Sequence, residues 1–149
     1  MRKVTLPAIA ILASIVLHAQ PLFSKDQQKI QQAVVKMFEA LSGRDSAALK
    51  TYCTPDITLY EYGLVWNIDT LIRKGITLNQ AADFRRTNTF DFIHIETDKS
   101  TAWVTYRLNS AITREGRQTM IQWLETVVLV KIKKQWRVKH LHSTLIKRS

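Results

Sequence analysis

The sequence is poor in the residues that staple or punctuate a chain. It holds one cysteine in 149 residues, so no internal disulfide can form and no CxxC metal or redox motif exists. Four glycines and three prolines exclude collagen, low-complexity and linker-like chains. No Gly-rich phosphate loop and no nucleophile elbow occurs. Acidic residues are scarce as well, 12 against 22 Lys and Arg, for a formal charge of +10. What is present is a hydrophobic fraction of 46%. A single domain of this length buries roughly 65–70% of its unfolded surface and needs no staple.

The amino terminus reads as a leader. Arg2 and Lys3 precede an uncharged run from Val4 to Leu17, and His18, Ala19 and Gln20 place a small residue where cleavage would fall. This is the pattern of a secretory signal peptide over residues 1–19. The alternative, a one-pass anchor, would need about 20 apolar residues. No cysteine follows the run, so a lipoprotein anchor is not expected. The reading is a secreted or periplasmic protein with one folded domain over 20–149 and no stable membrane anchor. Without the leader, 20 basic residues face 12 acidic ones, a charge of +8. Cys53 is expected to be a small buried hydrophobe at a helix end.

Ser24 to Gln27 matches a capping box. Ile30, Val34, Met37, Phe38 and Leu41 then repeat at helical spacing until Gly43. Asp45 caps a short second helix through Tyr52. Residues 57–62 alternate as a strand, and Leu64 to Trp66 turn the chain. Asn67 or Asp69 caps a further short helix ending at Gly75, and Asn79 to Arg86 reads as helix or loop. From Thr89 the period is two, giving a meander of strands near 89–97, 101–113, 118–132 and 136–147. Strands this long must twist.

A one-residue slip in register inverts every face of a strand. Pairing Ile132 with Trp136 and extending across the meander gives an inner face that includes His140 and turns polar at one end, with Asp91, Tyr106, Gln122, Thr126 and His142. The outer face then carries Trp103, Trp123, Val127, Leu129 and Leu141, with Glu125. That is too much apolar surface to leave in water, so a homodimer through Trp103, Trp123, Leu129 and Leu141 is expected.

The order helix, short helix, strand, helix, curved meander resembles the nuclear transport factor two-like (SnoaL-like) superfamily. Trp136-Arg-Val-Lys-His140-Leu-His142-Ser-Thr144 resembles the closing W-x-x-V-H-x-H-x-S strand of SnoaL-like proteins and of the calcium/calmodulin kinase association domain. Lys139 stands where Val is common, and Thr144 where Ser is. The stretch Leu41 to Asp45, followed by Ala48 and Leu49, resembles the family's joint between its first two helices. The resemblance spans about residues 24–147. It implies an α+β cone in which a curved antiparallel sheet wraps a long N-terminal helix around a pocket, a cystatin-like arrangement. Members include isomerases, dehydratases, cyclases and non-enzymatic assembly domains, so the fold does not give the function.

The expected function is therefore a pocket for a small, partly apolar molecule, with Tyr60, Tyr62, Trp66, Gln122, Thr126 and His140 as ligand-binding candidates. One alternative is a proton-transfer enzyme using His142 and Asp91, with Tyr106 as acidic donor. Another is a non-catalytic dimeric assembly domain. His140 and His142 lie about 6.6 Å apart along one strand. The register puts no carboxylate beside them, so no metal is expected. No other cofactor is expected. His140 also fits as a core histidine. The Lys and Arg residues are dispersed, apart from small clusters at Lys131–Lys134 and Lys147–Arg148, with no basic-aromatic motif, so nucleic acid is not an expected partner.

Overall fold

The computed structural model describes residues Phe23–Ser149; the leader expected over 1–19 lies outside them. Helix α1 (Lys25–Ser42) starts at a complete capping box: Ser24 Oγ accepts from the Gln27 backbone N–H, and Gln27 Oε1 accepts from that of Ser24. Its buried face is Ile30, Val34, Met37, Phe38 and Leu41, the stripe the periodicity predicts. Gly43 caps it at an ordinary φ of −77°, and the left-handed turn falls on Arg44 instead. Asp45 accepts from Ala48 N at 2.8 Å and opens α2 (Ser46–Tyr52). Cys53 is buried where α2 ends, and burial pushes its thiol up to about 12.

Strands β1 (Cys53–Glu61) and β2 (Leu64–Trp66) form a hairpin, where the sequence reading had only a turn after residue 62. Asn67, rather than Asp69, caps α3 (Ile68–Ile72), which runs into one π-helical turn, Arg73–Thr77. Gly75 in that turn passes α1 so closely that a Cβ would stand 3.0 Å from Leu41 Cδ2. The next residues are loop, and β3 (Arg85–Thr97) begins four residues before the switch of period at Thr89. It is followed by β4 (Thr101–Arg114), β5 (Arg117–Ile132) and β6 (Gln135–Arg148). The sheet order is β2-β1-β6-β5-β4-β3, antiparallel except for β1 beside β6. This is an α+β architecture: a curved, unclosed six-stranded sheet with α1 against its inner face.

The register differs from the expectation by one residue over much of the meander. Tyr106 pairs with Glu125, not Leu124, and Leu108 with Trp123, not Gln122. Thr126–His142 and Val128–His140 do pair, but a bulge between Val128 and Leu129 shifts the rest, so Leu129 meets Val138 and Ile132 meets Gln135. A second bulge between Phe92 and His94 sets Asp91 opposite Arg107. Bulges add one residue to one strand and reverse the facing of all that follows, which uniform alternation cannot anticipate. As a result Trp123, Val127, Leu129 and Leu141, expected on the outer face, are core, and Glu125 is buried among them. Gln122, Thr126, His140 and His142 stand on the outer face. Of the four residues expected at a subunit face, only Trp103 is exposed.

Candidate functional site

Between α1, the π-helical turn and the inner face of β5 and β6 lies a cavity of about 500 Å³. Pockets that take small molecules typically measure roughly 300–1,000 Å³. Its walls are apolar, with Met37, Phe38 and Leu41 from α1 facing Ile121, Trp123 and Leu141 from the sheet. Into this surface three charged groups project: Glu61 from β1, Arg86 from β3 and Glu125 from β5.

Strand pairing explains how they meet. Tyr106, Glu125 and Ser143 form one row across β4, β5 and β6, all pointing inward. Ser143 donates to Glu125 Oε1 at 2.9 Å and also lies beside Glu61. Glu125 Oε2 and the Tyr106 hydroxyl are buried next to each other, close enough to interact but without the geometry of a good hydrogen bond. Burial outweighs the help of Ser143, Tyr106 and Arg86 and holds the Glu125 carboxyl above its ordinary range. Glu61 is pushed up to about 7, first by burial and then by the charge of Glu125. Burial, and next Glu125, also raises the Tyr106 hydroxyl well above 10. An acid kept neutral in such surroundings is a hydrogen-bond donor as well as an acceptor.

Arg86 is fixed from several sides. Its Nε donates to Asn88 Oδ1 at 3.0 Å, and Asn88 Nδ2 donates to Ser42 Oγ on α1 at 2.9 Å. Its guanidinium lies over the rings of Phe38 and Trp123, 5.4 and 5.7 Å from their centroids. Burial lowers its pKa, while Glu125 and Glu61 oppose the change. The cation therefore rests on two rings, with the charges of Glu125 and Glu61 acting on it.

Of the residues singled out in the sequence, Tyr62 and Trp66 line this cavity, and Tyr106 is buried beside Glu125. Tyr60, Gln122, Thr126, His140 and His142 are on the far side of the sheet. There Tyr60 packs edge-on against both histidines, and Thr58 Oγ1 lies 2.7 Å from His140 Nδ1. Burial and then His142 lower the His140 pKa. Asp91 is exposed and pairs with Arg107 at 3.2 Å. Among the described residues no group of three or more His, Cys, Asp and Glu converges as a metal site requires. Glu61, Arg86 and Glu125 were missed by the sequence reading. The available signal was the alternating set Ile121, Trp123, Glu125, Val127 and Leu129, which is more apolar than its complement and carries one acid at its centre.

The SnoaL-like domain model matches residues 30–146, most of the described chain. The chain belongs to the SnoaL-like family. Solved structures agree on the fold. The CamKII hub homology domain of Chlamydomonas reinhardtii superposes with a TM-score of 0.72 at 22% identity, covering 83% of this chain and all of that one. A ketosteroid isomerase-like protein from Erwinia carotovora atroseptica gives 0.67 at 18% identity, covering 84% and 99%. An NTF2-like protein from Cytophaga hutchinsonii gives 0.70 at 15% identity, covering 83% and 100%. At these identities the likeness is one of fold alone. No curated protein matches this chain in sequence. The SnoaL-like cone thus has relatives whose names point to catalysis and others whose names point to assembly.

Proposed function

We propose that this SnoaL-like chain is an exported protein that holds a small, partly apolar molecule in the cone. The observation that carries this reading is the cavity itself, in which apolar walls surround the buried Glu125 carboxyl, with its Oε2 left without a hydrogen bond of good geometry. Leaving such a group unpaired costs roughly 1–3 kcal/mol, a cost that a ligand's own polar atom would offset. Its apolar body would rest against Phe38, Leu41 and Trp123. A proton-transfer reaction in this cavity would draw on Glu61 and Glu125, not on His142 and Asp91, which stand across the sheet.

The neutral fluorophore N-phenyl-1-naphthylamine tests the pocket. Its emission should rise and saturate with the native protein. It should stay flat with Ile112→Trp, which fills the cavity from its wall. No saturable rise, or an equal rise in the filled variant, would remove the pocket reading.

A second reading, assembly, is favoured by the outer sheet face. Among the described residues no helix covers it, and it exposes Tyr60, Trp103 and Leu124.

A further inference from the structure

The rim of the cavity differs in character from its interior. Lys74 comes from the π-helical turn, Arg114 and Arg117 from the β4–β5 hairpin, and Arg148 from the end of β6. Four cations from three separate parts of the chain thus ring one opening. Among the described residues none of the four makes an ion pair with an acid. Arg114 donates to the amide oxygen of Asn79 at 3.2 Å, and Arg148 to the Tyr62 hydroxyl at 2.9 Å. Lys74 Nζ stands 5.2 Å from the centroid of the Trp66 ring. Neutral partners hold these side chains in place without cancelling their charge.

Two carboxylates lie nearby. Glu115 lines the rim. Asp83 is already engaged, accepting from the Glu115 and Gly116 backbone N–H groups at 2.9 and 2.7 Å. Those bonds hold its pKa below the ordinary range, so it stays charged. They also pin the hairpin at Glu115 and Gly116, which both have positive φ, and so fix where Arg114 and Arg117 sit. Four cations against two acids still leave a positive opening. Trp66, which lines the cavity beside Lys74, has a buried indole N–H with no acceptor. Like charges gathered around a low-dielectric cleft repel one another and focus their field into it. An anion relieves that repulsion; a neutral molecule does not.

We infer that the molecule held in the cone is an amphipathic anion, with its carboxylate or phosphate group at the ring of Lys74, Arg114, Arg117 and Arg148 and its apolar body inward. This deepens the pocket reading and rests on it. Arg86 is the other cation an anion could seek. It is more buried than the other four, and the charges of Glu125 and Glu61 already act on it. The chemistry fits either a carboxylate or a phosphate head, and the two are separable by experiment.

The test is displacement of N-phenyl-1-naphthylamine by three probes with one eight-carbon chain: octanoate, octyl phosphate and 1-octanol. One of the two anions should displace the fluorophore at roughly three- to tenfold lower concentration than the alcohol, the advantage of a few partly exposed charge contacts. The better of the two names the head group. The advantage should shrink in 0.5 M NaCl and in an Arg114→Gln, Arg117→Gln double variant, with displacement by 1-octanol unchanged. Thermal melts of the double variant check that it is folded, and Lys74→Gln serves as a second variant away from the hairpin. Equal displacement by the alcohol and both anions would overturn the anion inference and leave the pocket standing. So would an anion advantage that every rim variant retains. If the fluorophore never binds, the pocket reading itself fails.

Discussion

Glu61 carries a titration signature that falls near neutral pH. Its carboxyl is ordinary at 4.5 in an open chain and is pushed up to about 7 in the cavity by burial and by Glu125. The folded state therefore holds this proton more tightly than the unfolded state does. The stabilisation is complete below pH 4.5 and is lost as pH rises through 7. At 1.36 kcal/mol for each pKa unit the span is about 3–4 kcal/mol at most, and solvent reaching the cavity reduces it to about 1–3 kcal/mol. Asp56, Asp83 and Asp98 are shifted the other way, below 3.8, so their contributions change at lower pH. Urea unfolding at pH 5 and pH 8 should show the native chain less stable at pH 8. Glu61→Gln should flatten the difference by that amount. Glu125 adds a slope of the same sign, and because its charge is one cause of the Glu61 shift, the variant reports Glu61 together with its coupling to Glu125. An unchanged slope in the variant would mean that the acid is solvated and ordinary.

At the scale of elements the deciding devices are two bulges. Leu129 is fully buried on β5, whereas Leu124 on the same strand is 39% exposed on the opposite face. Leu129→Ala should cost about 2–5 kcal/mol, the range for emptying a packed core site. Leu124→Ala should cost less than about 1 kcal/mol. Equal costs in chemical denaturation would contradict the register. The same pair of residues marks what sequence can and cannot tell. Helix α1, its capping box, the second helix and the turns of the meander are local: a few consecutive residues contain their cause, and they stand within a few positions of where pattern places them. Sheet register is not local. Val128 pairs with His140 and Thr126 with His142 in both accounts, yet an extra residue on β6 between Val138 and His140 turns Leu141 and Ser143 inward together with Trp136 and Val138, so all of β5 and the later part of β6 face the other way. With the faces exchanged, Trp123, Leu129 and Leu141 pass from a supposed subunit surface into the core, and Glu125 becomes the centre of the site. Tyr62 and Trp66 were legible because the β1–β2 hairpin sits at the mouth of the cone in either register. Glu61 and Arg86 were not, since each owes its role to neighbours on strands distant in sequence.

At the scale of the whole molecule the sheet has one face committed to α1 and the cavity, and another without a covering element among the described residues. The outer face is not uniformly polar. Trp103 is 44% exposed and lies against His94, ring centroids 4.5 Å apart, while Tyr60 lies against His140 and His142. Around them Thr105 and Thr126 face one another at 3.3 Å, and Arg107 pairs with Asp91. A mixed face of aromatic rings with small polar residues and a few satisfied charges resembles the surfaces through which subunits associate. A second copy of the chain, related by a two-fold axis, would present the same patch to itself. The assembly reading therefore expects sedimentation equilibrium to give twice the chain mass. Trp103→Glu should shift the species to the monomer while its far-ultraviolet circular dichroism and melting profile stay native, since the residue is already in contact with water. A native chain that sediments as a monomer at high micromolar concentration would sink this reading. The cavity opens on the other face of the sheet, so fluorophore binding in Trp103→Glu should match the native chain. A loss of both properties together would mean instead that assembly shapes the cone.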